Sequence, residues 1–397
     1  MVKILLVQPQ NNYGRFIPES PSRALLLLGT LAKQRGYDVR IEHIDLIDHD
    51  GYGNILTEYK PDILGVTVNT FQVKSARLAI MQAKQKLPDV KIIIGGPHTI
   101  AWEDMPAYPV DKKVIGEGEN EFLKFIGAEP DIKDINDIPI PDYSMVDLSR
   151  FCGIVPMASP PDIAIMASRG CPFNCIFCNT PVFWGKKVRY RDPLLVVGEV
   201  EMLHKKWGMN EIFFQDDTFN LNHTWAYEIF EEIIARKLNK DMLFKLACRV
   251  NEKMLTEDFL DMAYRAGVWS IFYGCENGDQ EMLDRMHKGI TLEEIRRAVR
   301  ITHEAKISSQ CSFIVGMPGE TWETLTETGD FIREIQPRRY GFSFACPFPG
   351  TEFDRQVTES GHKKILDYAE YGYGKIMVRT DELDFDFFEA FRGYPNV

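Results

Sequence analysis

The chain has 397 residues, a formal net charge of -12 and 45% hydrophobic residues. That length supports two or three domains with cores of their own; the composition excludes a disordered chain, and the acidic balance excludes a protein whose main work is to grip a phosphate backbone, so no nucleic-acid partner is expected. Eight cysteines are too few for a disulfide scaffold, and three of them crowd into positions 171–178, which points to metal.

The apolar run Met1 to Val7 is too short for a signal peptide, and Ala24 to Ala32 is too short to cross a bilayer, so the expectation is a soluble, cytoplasmic protein with no membrane span. Lys3 to Val7 predicts a strand, Pro21 to Arg35 a helix ending at Gly36, and Val39 to Ile44 a second strand. Asp62 to Val68 predicts a buried strand, Lys74 to Lys86 a helix stopped by Pro88, and Val90 to Ile94 a strand running into Gly95-Gly96-Pro97. Strands alternating with helices predict an α/β domain over 1–127, a doubly wound parallel sheet. Such sheets bind ligands beyond the carboxyl ends of their strands. Those ends carry Thr67, Asn69, Thr70, Gly95, Gly96, Pro97, Gly116, Glu117 and Gly118, the residues singled out here for cofactor contact. The small ones would let a bulky ligand approach the backbone, although Gly-Gly-Pro after a strand also serves simply as a turn.

Residues 128–161 are rich in Pro and Asp and lack periodicity, which predicts a linker, with Ile138 to Asp142 crossing between domains. Alternation then resumes over 162–349. Ile163 to Ala167, Glu211 to Phe214, Phe244 to Ala247, Ser270 to Tyr273, Ser309 to Val315 and Tyr340 to Ala345 predict strands, with helices such as Leu194 to Trp207 and Thr256 to Ala266 between them. Six strand–helix units fit a partial (β/α)6 barrel with its chemistry at the carboxyl ends of the strands. Residues 350–397 form a short C-terminal extension, rich in Tyr, Phe and acidic residues after Tyr368, which would close the barrel or cap it.

Ala167 to Cys178 carries a C-x3-C-x2-C spacing at the end of the first barrel strand, so Cys171, Cys175 and Cys178 converge from one loop. Thiolates suit iron–sulfur clusters and zinc alike. Structural zinc wants four ligands, usually in two close pairs, but the next cysteine, Cys248, lies on another predicted strand and no histidine follows at short spacing. Three ligands on a four-iron cluster leave one iron open.

This motif on the first strand of a partial barrel resembles the radical S-adenosylmethionine superfamily. The resemblance extends to the N-terminal half, which is similar to the cobalamin-binding domain that precedes the barrel in one subfamily. The supporting stretches are Pro61 to Thr70, Ile92 to His98, Gly116 to Glu119, Gly274 to Gly278 and Gly316 to Thr321. It implies a [4Fe-4S] cluster on Cys171, Cys175 and Cys178, S-adenosylmethionine on the open iron, reductive cleavage to methionine and a 5′-deoxyadenosyl radical, and bound cobalamin, with the corrin approaching the sheet edge at Gly95 and Gly96. An external electron donor such as flavodoxin or ferredoxin is implied as well. Many cobalamin domains offer a histidine to cobalt after the first strand, but here that loop reads Pro9-Gln-Asn-Asn-Tyr-Gly14, and His49 misses the spacing. The resembled subfamily generally lacks that histidine too, a pattern associated with methyl transfer.

By the same resemblance Phe177 lies near the adenine, and Gln215, Asp216 and Asp217 meet the methionine amine. Arg249 and Glu276 end the third and fourth strands; they would grip carboxylate and ribose or amine of the ligand, or pair with each other. The expected reaction is methylation of an unactivated carbon of a small-molecule substrate, with a cyclase, oxidase or rearrangement as the alternative. The intact cysteine triad argues against a cobalamin sensor with an idle barrel. A methylthiolating enzyme on transfer RNA would want N-terminal cysteines, and none precedes Cys152.

Overall fold

The computed structural model describes residues 1–11, 19–44, 51–103, 108–154, 156–365, 367–372 and 374–387. Residues 12–14 of the Pro9 to Gly14 loop, and His49, lie outside them. The chain divides into two compact units, Met1–Cys152 with Ile365–Tyr373 and Gly153–Lys364 with Gly374–Val397.

The first unit runs Lys3–Gln8 (β1), Arg23–Gln34 (α1), Asp38–His43 (β2), Gly51–Tyr59 (α2), Ile63–Thr67 (β3), Val73–Lys86 (α3), Lys91–Gly95 (β4), Lys112–Lys113 (β5) and Glu119–Ile126 (α4). The strands form one parallel sheet in the order β2-β1-β3-β4-β5. Strands covered on both faces read as continuous aliphatic runs, and Ile4, Leu5, Leu64, Ile92 and Ile94 are all fully buried. Helix α1 begins where the Ser22 side chain accepts from Leu25 N and ends before Gly36 at φ +83.

Two expectations need correction here. The Asp-rich stretch after 127 is no free linker: Asp134, Asp142 and Asp147 each cap a short 3-10 turn through the side chain, and Ile135 and Ile138 are buried against Leu27. The C-terminal extension is divided as well. Ile365–Tyr373 belongs to the first unit, where Ala369 joins the core, Asp367 lies 3.7 Å from Arg77 Nη1, and the Tyr368 ring meets His98 edge-on at 5.0 Å.

The second unit contains Asp162–Ile165 (β6), Ser168–Arg169 (β7), Thr180–Phe183 (α5), Arg189–Tyr190 (β8), Pro193–Trp207 (α6), Glu211–Phe214 (β9), His223–Ala235 (α7), Leu243–Cys248 (β10), Glu257–Arg265 (α8), Val268–Glu276 (β11), Gln280–Arg285 (α9), Leu292–Glu304 (α10), Ser308–Val315 (β12), Trp322–Ile335 (α11), Arg339–Phe344 (β13) and Glu352–Glu359 (α12). Six of these strands form a parallel sheet in the order β6-β9-β10-β11-β12-β13, each new strand added on the same side, as in a barrel that does not close. Between β9 and the helices α7 and α8 lies an aromatic core, with Phe214–Phe219 at 5.1 Å, Phe219–Trp225 at 5.1 Å and Phe230–Phe259 at 5.6 Å.

Toward the amino ends of the strands, buried Lys245 Nζ donates to Ile154 O at 2.6 Å and Pro156 O at 2.8 Å, with Asp162 and Glu211 each 3.1 Å away. Glu211 also accepts from Ala158 N and Ser159 N at 2.8 Å each and from Trp269 Nε1 at 3.0 Å. A buried cation survives here because two carboxylates and two carbonyls satisfy it.

Candidate active site

The cysteine loop is fixed before any metal arrives. Asp216, just beyond β9, accepts from Ala167 N at 3.1 Å and from Ser168 Oγ at 2.5 Å, and burial pushes its carboxyl up to about 6. The antiparallel pair β7 and β8 closes the base of the loop, with Ser168 opposite Tyr190 and Arg169 opposite Arg189. Gly170 sits at φ +98, and a Cβ there would come within 2.5 Å of Lys187 O, so this turn requires glycine. Further on, Ile176 donates its N–H to Met286 O and accepts from Phe353 N, both at 3.0 Å, which anchors the turn carrying Cys175 and Cys178.

Each thiol has one neighbour from a different element. Cys171 Sγ lies 3.7 Å from Thr218 Oγ1, Cys175 Sγ accepts from Arg249 Nη1 at 3.9 Å, and Cys178 Sγ accepts from Thr180 N at 3.4 Å. Burial pushes the Cys178 thiol up, and the nearby Cys175 and Cys171 add to it. A bound metal reverses that, since a coordinated thiol is deprotonated. Among the described residues no three His, Cys, Asp or Glu side chains close on a point that would hold a single metal ion.

The remaining barrel residues divide into committed and free groups. The Asp216 carboxylate is taken up by the loop backbone and Ser168, so it braces the cysteines instead of meeting an amine. Asp217 accepts from Thr180 Oγ1 at 2.9 Å through Oδ1, while its buried Oδ2 has no partner. Gln215 is exposed. Arg249 and Glu276 do not pair with each other. Glu276, held at φ +68 in a bulge of β11, bonds Lys288 Nζ at 2.6 Å, and that ammonium stands 5.9 Å from the centre of the half-buried Phe177 ring. Arg249 donates to Asn251 Oδ1 at 3.0 Å and to Lys288 O, and its guanidinium lies 3.7 Å from the centre of the Phe173 ring. Those bonds take Nε and one Nη2 hydrogen, so any grip on a carboxylate would fall to the remaining Nη hydrogens.

Sequence reasoning missed Lys288, Thr180 and Thr218, whose roles depend on neighbours far along the chain. Glu320, within the Gly316 to Thr321 stretch, carries no local signal of its role either. That buried carboxyl accepts from Gly316 N and from Asn277 Nδ2, and burial pushes it up to about 8. It ties the loop after β12 to the loop after β11.

In the first unit, the ends of β3, β4 and β5 are stitched together. Val68 N donates to Gly95 O at 2.7 Å, His98 N donates to Val68 O at 3.1 Å, and Thr99 Oγ1 lies 2.6 Å from Val114 O. Asn69 and Thr70 are absorbed into this framework: Asn69 Oδ1 accepts from Phe71 N at 3.0 Å, and Thr70 Oγ1 lies 3.2 Å from His98 Nδ1. Thr67, partly exposed, pairs with Gly95 in the β3–β4 ladder; partly exposed Pro97 follows Gly96, and Glu117 is exposed between Gly116, at φ +80, and Gly118. The two central glycines differ. A Cβ on Gly96, at φ +107, would lie 2.6 Å from Val68 O, so this glycine serves its own backbone. A Cβ on Gly95 meets nothing within 4 Å, and one on Gly118 meets only Val114 Cγ1, at 3.9 Å. Gly95 and Gly118 therefore have open space beside them, whereas the space beside Gly96 is filled by the backbone of Val68.

The chain matches the Radical SAM superfamily over residues 165–332 and the B12 binding domain over residues 17–126. It belongs to the cobalamin-dependent radical SAM enzymes. It is 28% identical to an uncharacterised methyltransferase of Pyrococcus horikoshii, over 94% of this chain and 86% of that protein. It is also 29% identical to the anaerobic magnesium-protoporphyrin IX monomethyl ester cyclase of Rubrivivax gelatinosus, over 83% of this chain and 64% of that one. Among solved structures, the radical S-adenosylmethionine methyltransferase TsrM of Kitasatospora setae shares the fold, with a TM-score of 0.73 and 22% identity over 92% of this chain and 78% of that chain. Among the described residues no helix is long and apolar enough to cross a membrane.

The residues present fit the cofactors of this family. Three thiols on one braced loop, with a buried guanidinium at hand, suit an anionic iron–sulfur cluster. The orphaned Asp217 Oδ2 suits an ammonium donor, and the open Gly95 and Gly118 suit a bulky ring at the sheet edge.

Proposed function

We propose that this enzyme transfers a methyl group from S-adenosylmethionine to an unactivated carbon of a small-molecule substrate. The observation that carries the reading is the braced three-cysteine loop on a radical SAM barrel, preceded in the same chain by a B12 binding domain. When bound, the cluster and S-adenosylmethionine supply the radical and cobalamin carries the methyl group.

The chain's own part is to hold and orient. Cys171, Cys175 and Cys178 hold the cluster, and Asp216 keeps their loop in place through Ala167 N and Ser168 Oγ. Asp217 Oδ2, lacking a partner, accepts from the ammonium of S-adenosylmethionine in a charge-assisted bond. Exposed Gln215 and half-buried Phe177 remain available to the amine and to the adenine. Glu276 holds Lys288 in place instead of reaching for the ribose. Thr67, Pro97, Gly116 and Glu117 frame the space over Gly95 and Gly118 that receives the corrin. Electrons come from an external donor of the flavodoxin or ferredoxin type, in the cytoplasm.

The test uses S-adenosylmethionine with a deuterated methyl group, anaerobically, with cobalamin and a reductant. Labelled product, 5′-deoxyadenosine and S-adenosylhomocysteine together are expected. The likeness to a cyclase favours one second reading, an oxidative or cyclising enzyme with the same cofactors. Its signature is 5′-deoxyadenosine with unlabelled product and no S-adenosylhomocysteine, which would overturn methyl transfer.

A further inference from the structure

Arg249 is 7% exposed, and among the described residues no carboxylate lies within salt-bridge distance of it. Its neighbours are neutral: Asn251 Oδ1, the Lys288 carbonyl and the Phe173 ring. Burying a cation without an anion is costly, and proteins avoid it unless a ligand supplies the charge. One guanidinium nitrogen, Nη1, turns to Cys175 Sγ at 3.9 Å.

The other two cysteines have weaker neighbours. Thr180 N, a neutral backbone donor, faces Cys178 at 3.4 Å. The Thr218 hydroxyl already donates to Asp217 O at 2.6 Å, so toward Cys171 it can only accept until it rotates. Among the described residues only Cys175 has a full positive charge beside it, and the stack on Phe173, inside the cysteine loop, keeps that charge in register with the sulfur.

We infer that Arg249 is a positioning residue that poises the iron–sulfur cluster, its guanidinium on Cys175 being the buried counter-charge of the reduced state. The inference rests on the reading of the three cysteines as cluster ligands. A four-iron cluster on three thiolates is anionic and gains one further negative charge on reduction. A buried cation stabilises the more negative state more, so it raises the midpoint potential; hydrogen bonds to the sulfurs act in the same direction. The hydrogen bonds to Asn251 and Lys288 make the charge a fixed part of the site instead of a mobile clamp on substrate.

The test is an EPR-monitored redox titration of reconstituted protein without S-adenosylmethionine, for wild type, Arg249→Lys, Arg249→Gln and Arg249→Met, with iron counted in each. Arg249→Met should lower the reduced-to-oxidised ratio at a fixed potential by on the order of tenfold, which is about 59 mV for a one-electron couple. Arg249→Lys should recover most of the shift, and Arg249→Gln, which keeps a donor but no charge, should recover little. If Arg249→Met takes up no iron, the Gln and Lys proteins decide by the same ordering. A Met or Gln potential equal to wild type overturns the inference. So does weaker binding of S-adenosylmethionine with an unmoved potential, which would make Arg249 a carboxylate clamp. Wild-type protein that takes up no iron would instead sink the cluster assignment itself.

Discussion

Of the adjacent glycines at the end of β4, Gly95 is the one proposed for corrin approach and Gly96 the one that serves its own backbone. Gly95→Leu adds a Cβ that meets nothing within 4 Å, at a residue that is not in the positive-φ region, so its cost to folding should stay within about 1 kcal/mol. Gly96→Ala is a smaller change with a larger penalty. Position 96 is held at φ +107, and the new Cβ would lie 2.6 Å from Val68 O and 2.9 Å from Val68 N. The backbone conformation costs about 1–3 kcal/mol for a residue other than glycine. The clash also displaces the bonds from Val68 N to Gly95 O and from His98 N to Val68 O, about 1 kcal/mol each. Together these give about 3–5 kcal/mol. Denaturant unfolding of the cofactor-free protein measures the stability, and hydroxocobalamin retained after gel filtration measures the site. Gly95→Leu should fold like wild type and retain no corrin, whereas Gly96→Ala should unfold at clearly lower denaturant. Wild-type retention by Gly95→Leu, or wild-type stability in Gly96→Ala, would refute the assignment of the two roles.

Replacing Cys171, Cys175 and Cys178 together by Ala should abolish the broad visible absorption and the roughly four irons expected after anaerobic reconstitution, read by iron analysis. Zinc at unit stoichiometry in the wild type would contradict it. Lys245→Met strands the buried carboxylates of Asp162 and Glu211 and should cost about 3–5 kcal/mol by denaturant unfolding, while leaving iron uptake by the folded protein unchanged. Glu320, with a folded value pushed up to about 8 from 4.5, contributes stability that is fully present below about pH 4.5 and lost as pH rises through 8. The stability of wild type minus that of Glu320→Gln should therefore fall across that window; a pH-independent difference would show that the carboxyl is not held protonated.

Much of the architecture follows from the sequence alone, because strand and helix periods are local. The aliphatic runs of β1, β3 and β4, alternating with amphipathic helices, fit a parallel sheet with both faces covered, and the six later strand–helix units repeat the logic of a barrel. The cysteine spacing likewise brings three thiols to one loop whatever surrounds it. Long-range contacts decided the rest. No local signal distinguishes Gly95 from Gly96; the difference lies in where β3 places Val68. Asp216 and Asp217 are sequence neighbours, yet one is consumed by Ala167 and Ser168, 49 and 48 positions away, and the other keeps a free oxygen. Arg249 and Glu276 read as a plausible ion pair until Lys288, 12 positions beyond Glu276 and invisible to any motif, takes the carboxylate and leaves the guanidinium to Cys175. Periodicity and spacing are properties of a segment, whereas the partner of a buried charge is fixed only when distant strands set their register.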